Sequence, residues 1–262
     1  MVNPHLREAI TDALSSHSLV LLDKNVTCLT GSSLDALVDA QLPAEVPASS
    51  LEAVRKRFRQ WITSFRPSVQ TVSGVAEEVY REHDLLRYRG SELAGLLEES
   101  YARGSVSASE CSEHLQRLEE LADLQEEFSN RVEVTRANVY TPRDYGSYTR
   151  LFQDVLGVSR AYNSKASCFK EHDVSNTADE QLVAAAVHHS NLRGSAAILS
   201  SDNDINYILG DYQQSRALAG VVSVYTFQPH DTSTLVLNSY TAQSRSSRLQ
   251  SAEELSVDLL AS

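Results

Sequence analysis

The chain is poor in several features that would assign it to a special class. Its 262 residues include only three cysteines, six prolines, one methionine and one tryptophan. Cys28, Cys111 and Cys168 lie far apart. They offer no paired metal spacing and leave one thiol over in any disulfide scheme, so neither a zinc module nor a disulfide-stapled fold is expected. No run approaches the roughly 20 apolar residues of a membrane-spanning helix. The opening MVNPHLREAITDALSSH is polar and mixed in charge, and does not read as a secretory signal. A reduced, cytoplasmic protein without a membrane partner is expected. Positive charge is scarce as well: 23 Lys and Arg stand against 35 Asp and Glu, for a net charge of −12. That excludes broad, non-specific adhesion to nucleic acid. It does not exclude an enzyme with an acidic, metal-filled centre and a local basic rim.

What remains is ordinary globular composition, 42% hydrophobic and 22% charged, at a length that supports a sizeable core. Residues 4–16 read as a helix. SLVLL (18–22) is short, continuous and apolar, as buried parallel strands are. A helical pattern begins at 34–38. LPAEVPASS (42–50) reads as a loop, and Ser49 with Glu52 has capping-box spacing before a helix over 51–65. SVQTVS (68–73) is a second strand, followed by a helix over 75–89. Further helical patterns span 91–103, 107–130 and 148–162, with a loop signature TPRDYGSY between the last two. TADEQLVAAAVHHSNL (177–192) reads as a helix with a Thr177–Glu180 capping box. SAAILS (195–200) and GVVSVYTF (220–227) read as strands around a short helix at 203–215. After Pro229 the tail is rich in Ser and Thr, with one strand candidate, TLVLN, and a last helix from Glu253. Strands alternating with helices predict a parallel α/β sheet.

In such sheets ligands bind beyond the carboxyl ends of the strands, and this chain places acids there repeatedly. Asp23 ends the first strand. Glu78 lies in the first turns of the helix after the second. Asp179 sits in the first turn of a helix, and Asp202 and Asp204 follow SAAILS. Each has a structural alternative. An acid is favoured at a helix N-terminus, and Asp is common in turns and N-caps. Yet two carboxylates about 4 Å apart repel by roughly 4 kcal/mol at an effective dielectric near 20. A hard divalent cation relieves that repulsion, and oxygen-rich sets of this kind suit Mg²⁺ or Mn²⁺. Such an ion assists hydrolysis of phosphate esters.

These residues resemble the PIN domain, a family of metal-dependent nucleases. LLDKNV resembles its hydrophobic-Asp-x-Asn-Val motif. TVSGVAEEV resembles its strand-then-helix motif carrying one Glu, selecting Glu78, which precedes Val79, over Glu77. TADEQLVAAAV resembles its third motif and places Asp179. ILSSDNDI resembles Ser/Thr-x-Asp-x-Asp-aliphatic and places Asp202 and Asp204. The resemblance implies a three-layer α/β/α sandwich with a central, mainly parallel sheet. Its four motifs span roughly 18–227, within an expected PIN-like domain of residues 1–229 that has an N-terminal helix and a helical insertion at about 85–175; residues 230–262 form a C-terminal extension. It implies Mg²⁺ or Mn²⁺ and endonucleolytic cleavage of single-stranded RNA. Asp23, Glu78, Asp179 and Asp202 are then catalytic metal ligands with Asp204 assisting. Asn25, Thr177 and Ser200 would orient the carboxylates. An antitoxin-like protein inhibitor over the acidic groove is a partner the family suggests.

Lys24 stands where a small residue is common in the family; it could neutralise the cluster or contact phosphate. Arg81 and Arg87 follow Glu78 and are the other candidate nucleic-acid contacts. RKRFRQW (55–61) reads as a solvated helix face with Trp61 in the core, or as a backbone-binding run. His188 and His189 diverge on a helix, which favours a structural role over metal ligation. The helices at 91–130 could cover the site, bind a partner or make a homo-oligomer contact. Two other functional classes are open. A haloacid-dehalogenase-like phosphatase would use Asp23 as nucleophile, but its second Asp is Asn25 here and ILGDY near 210 is a weak match to its last motif. A catalytically silent PIN-like binding module is the other.

Overall fold

Alternation along very short strands decides which way each layer faces. In the computed structural model of the protein, which describes residues 4–27, 69–165, 177–227 and 235–241 with scattered residues between 39 and 56, Leu19 and Leu21 enter one buried cluster while Val20 and Leu22 enter another. Ala196 and Ile198 follow the first pair, and Ala197 and Leu199 the second. The sheet is therefore apolar on both faces, which requires cover on both.

The elements run α1 (Pro4–Ser16), β1 (Val20–Leu22), α2 (Lys24–Thr27), β2 (Val69–Gln70), α3 (Ser73–Ala102), α4 (Ala108–Ala137), α5 (Tyr145–Lys165), α6 (Ala178–Arg193), β3 (Ser195–Ser200), α7 (Asp204–Ser215), β4 (Val221–Phe227) and β5 (Leu235–Tyr240). The five described strands lie in the order β2-β1-β3-β4-β5. All neighbours are parallel except β4 and β5. One face packs on α3, α5, α6 and α7, with α4 behind α3; the other receives Ala13 and Leu14 of α1 and Val26 of α2. The predicted α/β class is observed, in an arrangement compatible with three layers. β5 carries the sheet past residue 229, into the stretch that sequence reasoning set apart as an extension. Among the described residues no helix is long and apolar enough to cross a membrane.

The helical segment between β2 and β3 departs from the sequence reading. The helices expected at 75–89 and 91–103 are one 30-residue rod, α3. Gly90 does not break it. A Cβ there would meet the Gln125 side-chain amide of α4 at 2.3 Å, and that amide donates to the Leu86 carbonyl at 2.9 Å. Gly90 thus makes room for a crossing contact. The rod ends at Gly104, with φ of +67°. There Ser105 N–H donates to the Ser100 carbonyl and Gly104 N–H to that of Tyr101, the double bond of a Schellman stop. Ser107 and Glu110 then exchange reciprocal bonds, Ser107 N–H to Oε2 at 3.0 Å and Glu110 N–H to Oγ at 3.3 Å. This capping box opens α4.

The helical pattern at 34–38, most of the helix expected over 51–65 including Trp61, the last helix from Glu253, and Cys28 and Cys168 lie outside the described residues. Arg55 of the basic run is described, and its guanidinium lies 3.4 Å from Glu120 of α4.

The α6–β3 and α7–β4 turns meet at Gly220. Val221 N–H donates to the Gly194 carbonyl, and a Cβ on Gly220 would lie 2.1 Å from the Ser190 carbonyl oxygen. Backbone cannot yield as a side chain can. Gly220→Ala is expected to lower stability by about 1–3 kcal/mol, the usual scale of overpacking, read as a reduced urea midpoint at unchanged slope.

Candidate metal centre

With strand order β2-β1-β3, the chain leaves β1 for one side and later returns to its other side. The crevice outside the carboxyl ends of β1 and β3 is the topological switch point. Asp23 emerges there from β1. It shares the parity of Leu19 and Leu21, so its side chain turns to the α3/α6 face. Its N–H still donates to the Leu199 carbonyl of β3 at 3.0 Å. The side chain is only 3% exposed. Asp23 Oδ2 accepts from Ser200 Oγ at 2.6 Å, and Oδ1 accepts from the Lys24 N–H at 2.6 Å. Ser200 Oγ in turn accepts the Asp202 N–H at 2.9 Å. Asp202 Oδ1 accepts the Asp204 N–H at 3.0 Å, at the start of α7. One hydrogen-bond relay therefore runs from β1 through β3 into α7. Asp202 also fills the turn role that the sequence left as its structural alternative.

Asp179 reaches the same crevice from the first turn of α6. Asp179, Asp202 and Asp204 each offer one carboxylate oxygen, and these atoms lie within 4.8 Å of one another. Electrostatics ties in the remaining acids. Burial, and then the charges of Glu78 and Asp202, push the Asp23 carboxyl up to about 6, against the lowering effect of its bonds to Ser200 and Lys24. Burial, then Asp23, Asp202, Glu180 and Asp204, push Asp179 up to about 8. Each of the other predicted acids thus acts on Asp23 or Asp179, and Asp23 acts on Asp179. Their all-oxygen, anionic, closely spaced donor set fits a hard divalent cation.

α3 is brought to α6 by a residue that sequence reasoning missed. Gln181 Oε1 accepts from Gly74 N–H at 2.8 Å and from Ser73 Oγ at 2.9 Å. A Cβ on Gly74 would stand 3.1 Å from Ala178 Cα. This clamp holds the first turns of both helices together, and with them Glu78 and Asp179. Thr177 serves the clamp rather than a carboxylate, accepting from Gln181 Nε2 at 3.2 Å. The Thr177–Glu180 capping box is not formed: Thr177 makes no side-chain cap bond, and Glu180 accepts from Ser159 Oγ of α5 at 2.6 Å. Asn25 lies in α2 and makes no hydrogen bond to a described acid.

The three candidate nucleic-acid contacts separate. Lys24 Nζ is 2.9 Å from Glu82 of α3, a further acid the motifs did not mark. Arg81 is exposed, one turn from Glu78. Arg87 is exposed but nine residues on, which puts it about half a turn round α3 and ~13 Å along it. His188 and His189 sit at the opposite end of α6. His188 is bonded to Tyr140 Oη and Ser147 Oγ, each at 3.0 Å, and His189 to Ser18 Oγ at 3.0 Å. They anchor α6 to α5 and β1. Gly210 and Asp211, the second element of the phosphatase reading, lie in the C-terminal half of α7, away from the edge where Asp204 begins it.

Raised carboxyl pKa values set the sign of a pH effect. The folded state keeps protons on Asp23 and Asp179 that the unfolded chain releases near pH 4, so metal-free stability falls as pH rises. His17, His188 and His189 are lowered by burial and act oppositely, but only below about pH 6.5. Between pH 7 and 8.5 in chelator, thermal melting should show stability dropping by about 1 kcal/mol per pH unit, mainly through Asp179. Adding Mn²⁺ should flatten the slope. A melting temperature that rises with pH in chelator would contradict the electrostatic picture.

Comparison of the chain with protein-family models, with curated proteins and with solved structures finds no match.

Proposed function

We propose that the chain is a PIN-like, metal-dependent nuclease that hydrolyses phosphodiester bonds of single-stranded RNA. The observation that carries this reading is the relay Asp23–Ser200–Asp202 at the β1/β3 switch point, with oxygens of Asp179 and Asp204 gathered beside Asp202. The four motif segments are far apart in sequence, and their acids share one crevice.

Asp179, Asp202 and Asp204 would hold the ion, with Asp23 and Glu78 facing them from the β1 and α3 side. When bound, a Mg²⁺ or Mn²⁺ ion supplies positive charge to the phosphoryl group and lowers the pKa of a bound water. Ser200 fixes the orientation of Asp23 and, by accepting the Asp202 amide, sets where the β3–α7 turn leaves the sheet. Gln181 fixes the distance between Glu78 and Asp179. Burial of Asp23 and Asp179 makes them avid for any positive charge, because desolvation raises the free energy of their ionised forms. Arg81, exposed one turn from Glu78, is the nearest candidate for a phosphate outside the crevice.

Labelled single-stranded RNA incubated with Mn²⁺ tests the reading. The wild type is expected to cleave it internally and to stop in chelator. Asp202→Asn and Asp23→Asn should each lose about a hundredfold or more in rate, the order seen when a group that organises transition-state charge is removed. Unchanged cleavage in both variants would refute the site. Turnover of a phosphomonoester with a covalent phosphate on Asp23 would replace it with the phosphatase reading.

A further inference from the structure

The outer face of α3 leads away from the crevice and mixes positive charge with apolar surface. Arg81, Leu85 and Tyr88 follow one another at i, i+4 and i+7, so they share an arc of about 60° on the helix. Arg81 begins this stripe one turn after Glu78, and Tyr88 ends it ~15 Å along the axis from Glu78. All three are exposed, Leu85 by 39% and Tyr88 by 66%. Gly90, where Gln125 of α4 approaches, lies about half a turn round from Arg81. The stripe therefore faces away from the crossing helix.

The fold engages neither polar group of the stripe. Arg81 and Tyr88 make no side-chain hydrogen bond, ion pair or ring contact with a described residue. Acids take up guanidinium groups elsewhere: Arg55, Arg89, Arg103, Arg117 and Arg216 each face a carboxylate. An unpaired arginine one turn from the acid cluster is open to an anion from outside. Apolar residues scattered singly over a surface need no explanation. Here two of them continue a line that starts with a cation beside the crevice. A single nucleic-acid strand has the complementary pattern, with charge along its backbone and open base faces beside it. A duplex offers the charge but keeps its base faces stacked inside.

We propose that this stripe is the track along which single-stranded RNA runs to the crevice, with Arg81 holding a phosphate, Tyr88 stacking a base and Leu85 forming the apolar floor between them. This rests on the crevice being the site of cleavage. It assigns the preference for an unpaired substrate to α3, outside the acid cluster. Arg87 is exposed on the same helix but lies about 120° round from Arg81, and takes no part.

Fluorescence anisotropy of the full-length protein with a short, labelled single-stranded RNA, in chelator so that no cleavage occurs, tests the stripe. Tyr88→Ala should weaken binding about tenfold, the scale of one base–aromatic stack, and Tyr88→Phe should keep it. Arg81→Gln should lower the slope of log affinity against log salt by about 0.7, as loss of one phosphate contact to a single strand does; Arg87→Gln should leave that slope unchanged. The same RNA annealed to its complement should bind the wild type and Tyr88→Ala equally. Single-strand binding unchanged in Tyr88→Ala overturns the proposal, and so do equal effects of Arg81→Gln and Arg87→Gln, the mark of diffuse charge alone. A dimer that Tyr88→Ala dissociates would reassign the stripe to a contact between copies. Cleavage in Mn²⁺, measured in parallel, separates the two readings. A wild type that cleaves but binds independently of Tyr88 loses only the stripe; one that neither binds nor cleaves loses the nuclease reading as well.

Discussion

The hydrogen bond between Ser200 and Asp23 is the constraint on which the crevice depends. It joins the carboxyl ends of β1 and β3 at the one place where the sheet order reverses. It also directs the chain beyond β3, since the same Ser200 oxygen receives the Asp202 amide and Asp202 receives that of Asp204. Bonds linked in series polarise one another in a low-dielectric setting. The position of α7 is therefore set, in part, by a carboxylate on a different strand. A buried acid is tolerable at position 23 because both oxygens have donors, which is the usual condition for burying such a group.

Around this seam, α6 acts as the central post. It is buried on nearly every side, through Leu182 to Ser190, so it has no solvent face to orient it. Polar contacts at its ends do that instead. Gln181 ties the first turn to α3, and His188 and His189 tie the last turns to Tyr140, Ser147 and Ser18. The two ends serve different purposes. The first places Asp179 against the strand edge; the second fixes the post against rotation along a stretch where the surrounding packing is non-directional.

How much of this could be read from the sequence depends on range. The strand SLVLL, the acid that follows it and the Ser-x-Asp-x-Asp turn after β3 are local patterns, and with the rule that ligands bind beyond strand carboxyl ends they point to Asp23, Asp202 and Asp204 at one edge, where a hydrogen-bond relay links them. What escaped was settled by partners distant in sequence. Glu82 belongs to no motif, and only the fold brings it beside Lys24, 58 residues earlier. Gln181 has no signature, because an amide clamp needs only a neighbour of suitable shape. The Thr177–Glu180 box had the right spacing, yet Ser159 competes successfully for Glu180. The expected boundary between helices at 89 and 91 is absent, and the missing Gly90 side chain leaves room for the Gln125 amide of the crossing helix. Ser107 and Glu110 do form a capping box, a local signal that their spacing alone carries.

The raised carboxyl pKa values of Asp23 and Asp179 have a consequence for stability. Burial and the charges of neighbouring acids both disfavour the ionised forms of these two residues. A neutral residue at either position would spare the fold that cost, and on the proposed reading function and stability pull in opposite directions there.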